Sequence, residues 1–539
     1  MIRIRTAPAS DRLAISKCFL FAILTAEALA LFVARLAGSL QFEKFAFFDS
    51  GSNLTVQYLI SRGYRPTLDF AYHYGLLPLL FGRAWFSICG LTPIACVAAI
   101  PLVDILIIWG FVRFATNLKM NLAGILILLL TASLTIPSSF INLTHGIEPV
   151  FLLHALADQG GGNRRRALAL AAAGLFVKPS MAYVLGLVLL GFIVADCLRS
   201  RAGSLRAIVA ETSPAFMVGI NIAIILAASF GPIPVVRSMI PSEGLAMYRA
   251  QGFGFFNGAG RSFLAPPGVT VNYYFADIAG PWIAYTVVLV LAALIAPRSV
   301  PAGFGSGEWN DPTAEVILTC AVLHLSFIFF FFGNELSWIY YFYVPVLGLA
   351  AAARLGIRWE ILVACLAFAV PITKIDKRIV QRLASRASAH TGGLAAGMPS
   401  ISTLLVESES GFTYQLWFTT SPSPETAGLW VAPLERDEWI KVLATVRGHR
   451  AAMLEYDGCA DLLFPEFSPP TTLFLVRGGV TPGDLSRKLS QLRESSMIVM
   501  PRAHSDLLND IPEIGVVVRR DFVPAFQGVS FIVYARREG

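Results

Sequence analysis

Charge is what this chain lacks most. Asp, Glu, Lys and Arg make up only 14% of its 539 residues, against about a quarter in soluble domains. Hydrophobic residues reach 55% and the mean hydropathy is +0.65. A mostly soluble protein is excluded. A cysteine framework is also missing. Of seven cysteines, Cys18, Cys89, Cys96, Cys197, Cys320 and Cys365 fall in apolar segments, and only Cys459 lies in the polar tail. They show neither metal-ligand spacing nor a disulfide pattern, so they read as small apolar packing residues. No G-x-G-x-x-G accompanies Arg477-Gly478-Gly479, which removes a dinucleotide site there. No duplicated half of the kind many transporters carry is visible.

The scarce charge is unevenly spread. Residues 1–375 hold 25 Lys and Arg against 17 Asp and Glu, whereas residues 376–539 hold 17 against 18. The basic excess belongs to the apolar part, where positive residues orient loops. The pI near 9.0 therefore implies no nucleic-acid partner.

Apolar runs long enough to cross ~30 Å of hydrocarbon are abundant. They predict about eleven spans, near 15–37, 94–114, 120–137, 147–159, 167–179, 180–198, 210–231, 280–297, 313–333, 336–354 and 358–374. Arg3, Arg5, Arg12 and Lys17 precede the first run. That run is long for a signal-peptide core and no small-x-small site follows it, so it reads as a retained span. Glu27 within it then faces other helices rather than lipid.

Basic loops set the orientation. Arg113 and Lys119, Arg164–Arg166, Arg199, Arg201 and Arg206, Arg298, and Arg354 with Arg358 all fall on the side of the N-terminus, which is cytoplasmic by the positive-inside rule. The outer side receives loop 38–93, loop 138–146, loop 232–279 and everything past about residue 375. The expected fold is a polytopic α-helical membrane domain over 1–375, a linker over 376–400, and a soluble extracytoplasmic α/β domain over 401–539. In the tail, Thr471–Val476, Met497–Met500 and Gly528–Ala535 read as strands. Thr481-Pro482-Gly483-Asp484 opens a capped helix. With no eukaryotic targeting signal, the expected location is a bacterial inner membrane with a periplasmic tail.

The first outer loop concentrates the chemistry-bearing residues. Asp49 stands at the membrane edge, and Ser50–Ser61 reads as a short helix stopped by Gly63. The segment Gly63, Tyr64, Pro66, Asp69 follows. Residues 72–89 are apolar but carry His73 and Arg83, which fits a helix lying in the interface. This order of features, with the later segment Gly174–Ser180 (GLFVKPS), resembles the C-type glycosyltransferase superfold. Protein O-mannosyltransferases and aminoarabinose transferases belong to that group. The resemblance implies transfer of a sugar from a polyprenyl-phosphate donor to an acceptor outside the cytoplasm, with Asp49 matching the group's catalytic acid. Two departures stand out. Asp49-Ser50 replaces the usual Asp-Glu, and Tyr72-His73-Tyr74-Gly75 occupies the place of a Lys-Pro-Pro segment.

Glycosyl transfer to a hydroxyl needs a base for the acceptor proton as an oxocarbenium-like centre forms. Asp49 is the candidate, and it could equally cap the helix that follows. Asp69 would position the acceptor or support Asp49, or it is a turn acid after Pro66. A lipid phosphate leaves without protonation but needs cations at the membrane surface. Lys178, Arg62, Arg65, Arg237, Arg249 and Arg261 are the candidates, each with the plainer reading of an interfacial snorkelling base. His145 and Glu148, in THGIE, read as partners for Asp49 or as a hydrogen-bonded loop pair. One His and one Glu fall short of a metal-ligand set, so no metal or other cofactor is called for. A transporter or flippase would carry buried mid-span charge, for which Asp104 is the mark. A membrane scaffold with a partner-binding tail is the third reading.

Overall fold

The computed structural model describes residues 49–120, 143–199, 205–240, 312–331, 344–354, 433–454 and 480–537, apart from isolated positions, with short pieces near 18–29, 124–128, 404–416 and 467–475. Helix α1 (Asp49–Ser61) matches the expected helix. It stops where Gly63 takes φ +87. Gly63 N–H donates to Ile60 O and Tyr64 N–H to Leu59 O, both at 3.0 Å, which satisfies carbonyls the helix end would leave open. Helix α2 (Leu77–Cys89) has Pro78 in its first turn and ends at Gly90. It starts later than expected because residues 72–76 are engaged elsewhere.

The apolar body consists of α3 (Pro93–Asn117), α4 (Leu143–Gly160), α5 (Arg164–Gly174), α6 (Pro179–Arg199), α7 (Leu205–Phe230), α8 (Pro232–Met239), α9 (Pro312–Phe331) and α10 (Val344–Arg354). Ala98–Asn117, Pro179–Leu198 and Leu205–Phe230 are long and apolar enough to cross a membrane. On α7, Phe216, Met217, Ile220, Ile224 and Ile225 are exposed. A contiguous face of that kind is unfavourable in water and ordinary in lipid. Helix α5 differs from the span expected over 167–179. Its 11 residues rise only about 16 Å, roughly half the hydrocarbon thickness. The expected spans 15–37, 120–137, 280–297 and 358–374, and half of 336–354, lie largely or wholly outside the described residues.

One core joins α3 to α7, α9 and α10. Ile107, Phe111 and Phe114 of α3 meet Leu152 and Leu156 of α4, Ala167 and Ala171 of α5, Leu189 of α6, Cys320 and Phe327 of α9, and Leu347 of α10. One end of the bundle carries a layer of ion pairs. Arg113 bonds Asp158 and, at 2.7 Å, His154 Nδ1. Arg164 bonds Asp196 and also Glu315, the latter through Nε to Oε2 at 2.8 Å. Arg165 Nε donates to Glu211 Oε2 at 2.6 Å. The C-terminal ends of α3, α4 and α6 thus meet the N-terminal ends of α5, α7 and α9.

The tail holds a four-stranded sheet in the order β3-β4-β6-β5; a separate antiparallel pair, β1 (Leu404–Glu407) and β2 (Thr413–Leu416), precedes it. Strand β3 (Ala451–Met453) runs parallel to β4 (Met497–Pro501). Strand β6 (Phe531–Arg536) is antiparallel to both β4 and β5 (Phe522–Gln527). The expected strands at 497–500 and near 528–535 appear as β4 and β6. At 471–476 the described positions, Thr471 and Leu475, carry no strand.

Alternation puts the two faces of this sheet to different uses. Ala452, Ile498 and Met500 face Leu492 of α12 (Pro482–Glu494) and Ile514 and Val518 of α14 (Pro512–Asp521); the short α13 (Leu507–Asp510) adds Leu507. Ala451, Met453, Val499 and Val533 face Val442 and Val446 of α11 (Pro433–Val446). That second cluster continues into Leu54 of α1, Phe86 of α2, and Ala95 and Ala99 of α3. The tail is therefore seated on the first-loop helices through a shared apolar core.

Candidate functional site

The chemistry-bearing residues gather around the turn after α1. Arg65 N–H and Arg65 Nε donate to Asp69 Oδ2 at 2.7 and 3.1 Å. Burial pushes the Asp69 carboxyl up, but those hydrogen bonds and the charges of Arg65 and Arg487 outweigh it and hold the group below its ordinary range. Asp69 is thus an ionised anchor. Between Arg65 and Asp69, Thr67 has φ +64, an outlier for a β-branched residue. Thr67 is 1% exposed, and its Oγ1 has no hydrogen-bond partner. Its carbonyl accepts from Arg237 Nη1 of α8 at 3.0 Å.

The tail grips the same turn from the other side. Ala71 N–H donates to Asp484 Oδ2 at 2.8 Å. Asp484 is also the third residue of α12 and completes a capping box with Thr481. Burial raises its pKa, partly offset by the hydrogen bonds from Ala71 and Thr481. Arg487 sits over the Tyr64 ring with its guanidinium carbon 5.2 Å from the ring centre, and its Nη2 donates to Asp484 Oδ1 at 3.0 Å.

Residues 72–77 then run into the bundle. The Tyr72 hydroxyl lies 3.1 Å from Thr144 Oγ1 of α4. Gly75 N–H donates to Val177 O at 3.0 Å and Leu77 N–H to Phe176 O at 2.8 Å. A Cβ on Gly75 would fall 2.1 Å from the Phe176 carbonyl, so only glycine permits this approach. His73 is half-buried with its ring nitrogens out of solvent, and desolvation pushes its pKa down to about 4, leaving a neutral imidazole at pH 7. One residue beyond the paired segment, Lys178 Nζ meets Glu148 Oε2 at 3.1 Å, both side chains being more than nine-tenths buried. The pair lines a cavity of about 20 Å³ between α4, α5 and α6 with Phe151, Leu170 and Met181, room for about one water.

The expected site residues separate into groups. Asp69, Arg65, Arg237, Glu148 and Lys178 all belong to this one connected region. Asp49 is the first residue of α1, one place inside the N-cap position that precedes a helix; its side chain lies outside the described residues. The expected partnership of Asp69 with Asp49 falls on a side chain outside the described residues. Glu148 is partnered by Lys178. Arg62 is exposed and held by Tyr58, through Nε to the hydroxyl at 3.2 Å and over the ring at 5.6 Å. His145 lies in the first turn of α4, its side chain outside the described residues, as are Arg249 and Arg261 altogether.

Thr67, Tyr72, Asp484 and Arg487 were not singled out as site residues from the sequence. The Thr481–Asp484 motif signals a helix start but not where that helix docks. Among the described residues no group of three His, Cys, Asp or Glu could hold a metal ion. Comparison of the chain with family models, curated proteins and solved structures finds no match.

Proposed function

We propose that the protein is an inverting glycosyltransferase that moves a sugar from a polyprenyl-phosphate donor to an extracytoplasmic acceptor. The observation that carries this reading is a convergence. The turn 62–77, the start of α4, the α5–α6 turn, α8 and the tail meet at one end of an apolar bundle, and they bring Asp69, Arg65, Arg237, Arg487 and the Lys178–Glu148 pair into one region. The short α5 sets its following turn about 16 Å from the opposite pole.

A single base is enough here. The acceptor oxygen forms the new bond to the anomeric carbon as the bond to the phosphate oxygen breaks. The acceptor proton passes to the Asp49 carboxylate, and the lipid phosphate leaves with the electron pair. Arg65 and Arg237 supply charge near the leaving group, and Asp69 holds Arg65.

The test is release of polyprenyl phosphate from a labelled lipid-linked sugar by purified protein. Asp49→Asn is expected to lower turnover by about 10²–10⁴-fold, the usual contribution of a general base. Wild-type turnover in that variant would remove the assignment. A second reading, transport of a lipid-linked sugar, is favoured by Asp104 and His324, each 1% exposed inside α3 and α9. Flipping in proteoliposomes that survives Asp49→Asn but fails in Asp104→Asn would select it.

A further inference from the structure

The turn 64–72 is held in a conformation it would not choose alone. Thr67 occupies the left-handed region with a β-branched side chain, and its buried hydroxyl is without a partner. Strain and an orphan polar atom persist only where the surroundings over-determine the backbone. Two clamps do so. Arg237 holds the Thr67 carbonyl from the bundle at 3.0 Å. From the tail, Asp484 holds the Ala71 N–H at 2.8 Å, with Arg487 over Tyr64.

We propose that Asp484 and Arg487 are positioning residues, by which the C-terminal α/β domain sets the register of the first-loop segment against the bundle. The path is short, a few residues of chain and two backbone hydrogen bonds. Ala71 is followed by Tyr72, which bonds Thr144, and by Gly75 and Leu77, which pair with Val177 and Phe176. Lys178 comes next, bound to Glu148. Releasing Ala71 frees the segment that holds the α5–α6 turn at its observed depth. The functional meaning of this coupling rests on the glycosyl-transfer reading, but the coupling itself does not.

The test is hydrogen–deuterium exchange on the full-length protein in lipid nanodiscs. Asp484→Ala is expected to accelerate exchange of peptides covering 64–77 and 174–180 at least tenfold, with β4 and β6 still protected. Asp484→Asn keeps an acceptor oxygen for Ala71 N–H and is expected to restore most of the protection. Thr481→Ala removes the capping hydroxyl alone and is expected to loosen only the start of α12. Changes confined to 481–486 in Asp484→Ala would overturn the proposal. If that variant also loses protection in β4 and β6, Arg487→Gln decides. Faster exchange at 64–77 with an intact sheet supports the coupling, and none overturns it.

Transfer kinetics are read separately, with kcat expected to fall more than KM rises in Asp484→Ala. Exchange that responds as stated in a protein with no transfer activity would uphold the coupling and remove the glycosyl-transfer reading.

Discussion

Two glycines in the first loop show how differently a residue can be constrained. Gly63 is required by its own helix, since a left-handed residue closes α1. That need is local, and the spacing of the preceding helix already shows it. Gly75 is required by Phe176, whose carbonyl would lie 2.1 Å from any Cβ. Nothing near Gly75 in the sequence announces that contact. Gly75→Ala is expected to break the pairing of residues 75–77 with 176–177 and to lower stability by about 1–3 kcal/mol, as overpacking does, with loss of turnover. Gly186→Ala, in α6 where a Cβ meets open space, is the control. It is expected to be neutral or mildly stabilising, because alanine favours a helix over glycine. Thermal unfolding of both variants in the same nanodiscs checks the contrast.

At the scale of elements, what was legible was whatever local chemistry dictates. Helix α1, the capped start of α12 and strand β4 all follow from spacing, caps and β-branched runs. Helix α5 is shorter than hydropathy implies because the apolar run 167–179 continues straight through the Leu175–Lys178 turn. Hydropathy registers the run and not the turn, which is stabilised by backbone bonds to residues 75 and 77. The sequence likewise offers Lys178 and Glu148 as two separate candidates, with nothing nearby to pair them. Lys178→Met leaves the Glu148 carboxylate buried without its cation and is expected to cost about 3–5 kcal/mol. Lys178→Met with Glu148→Leu is expected to recover most of that, as an apolar pair replaces an ion pair. A double-mutant cycle by chemical unfolding measures the coupling. If the stable double variant shows a raised KM for the lipid-linked donor, Lys178 contacts the phosphate. An unchanged KM limits the pair to holding α4 against α6.

The whole molecule is polarised along its helices. At one pole, arginines that mark a basic loop in the sequence are bound to Asp158, Asp196, Glu211 and Glu315. At the other, the tail and the first loop share a core with α3. The basic residues were legible as orientation signals, but their acidic partners come from helices far away in sequence. Arg164 joins three helices at once, bonding Asp196 of α6 and Glu315 of α9 from the first turn of α5. Because α5 is only 11 residues long, its two ends are mechanically linked, and loosening Arg164 frees the depth of the turn at Lys178. Arg164→Ala strands the Glu315 carboxylate, only 7% exposed, and is expected to destabilise the bundle by about 3–5 kcal/mol. Arg164→Ala with Glu315→Gln removes the stranded charge and is expected to regain part of that stability. It does not restore the tether of α5, so exchange at 174–180 should stay faster than in the wild type. Full recovery of protection in the double variant would mean that the ion layer stabilises its own pole alone, with no influence on the position of the site.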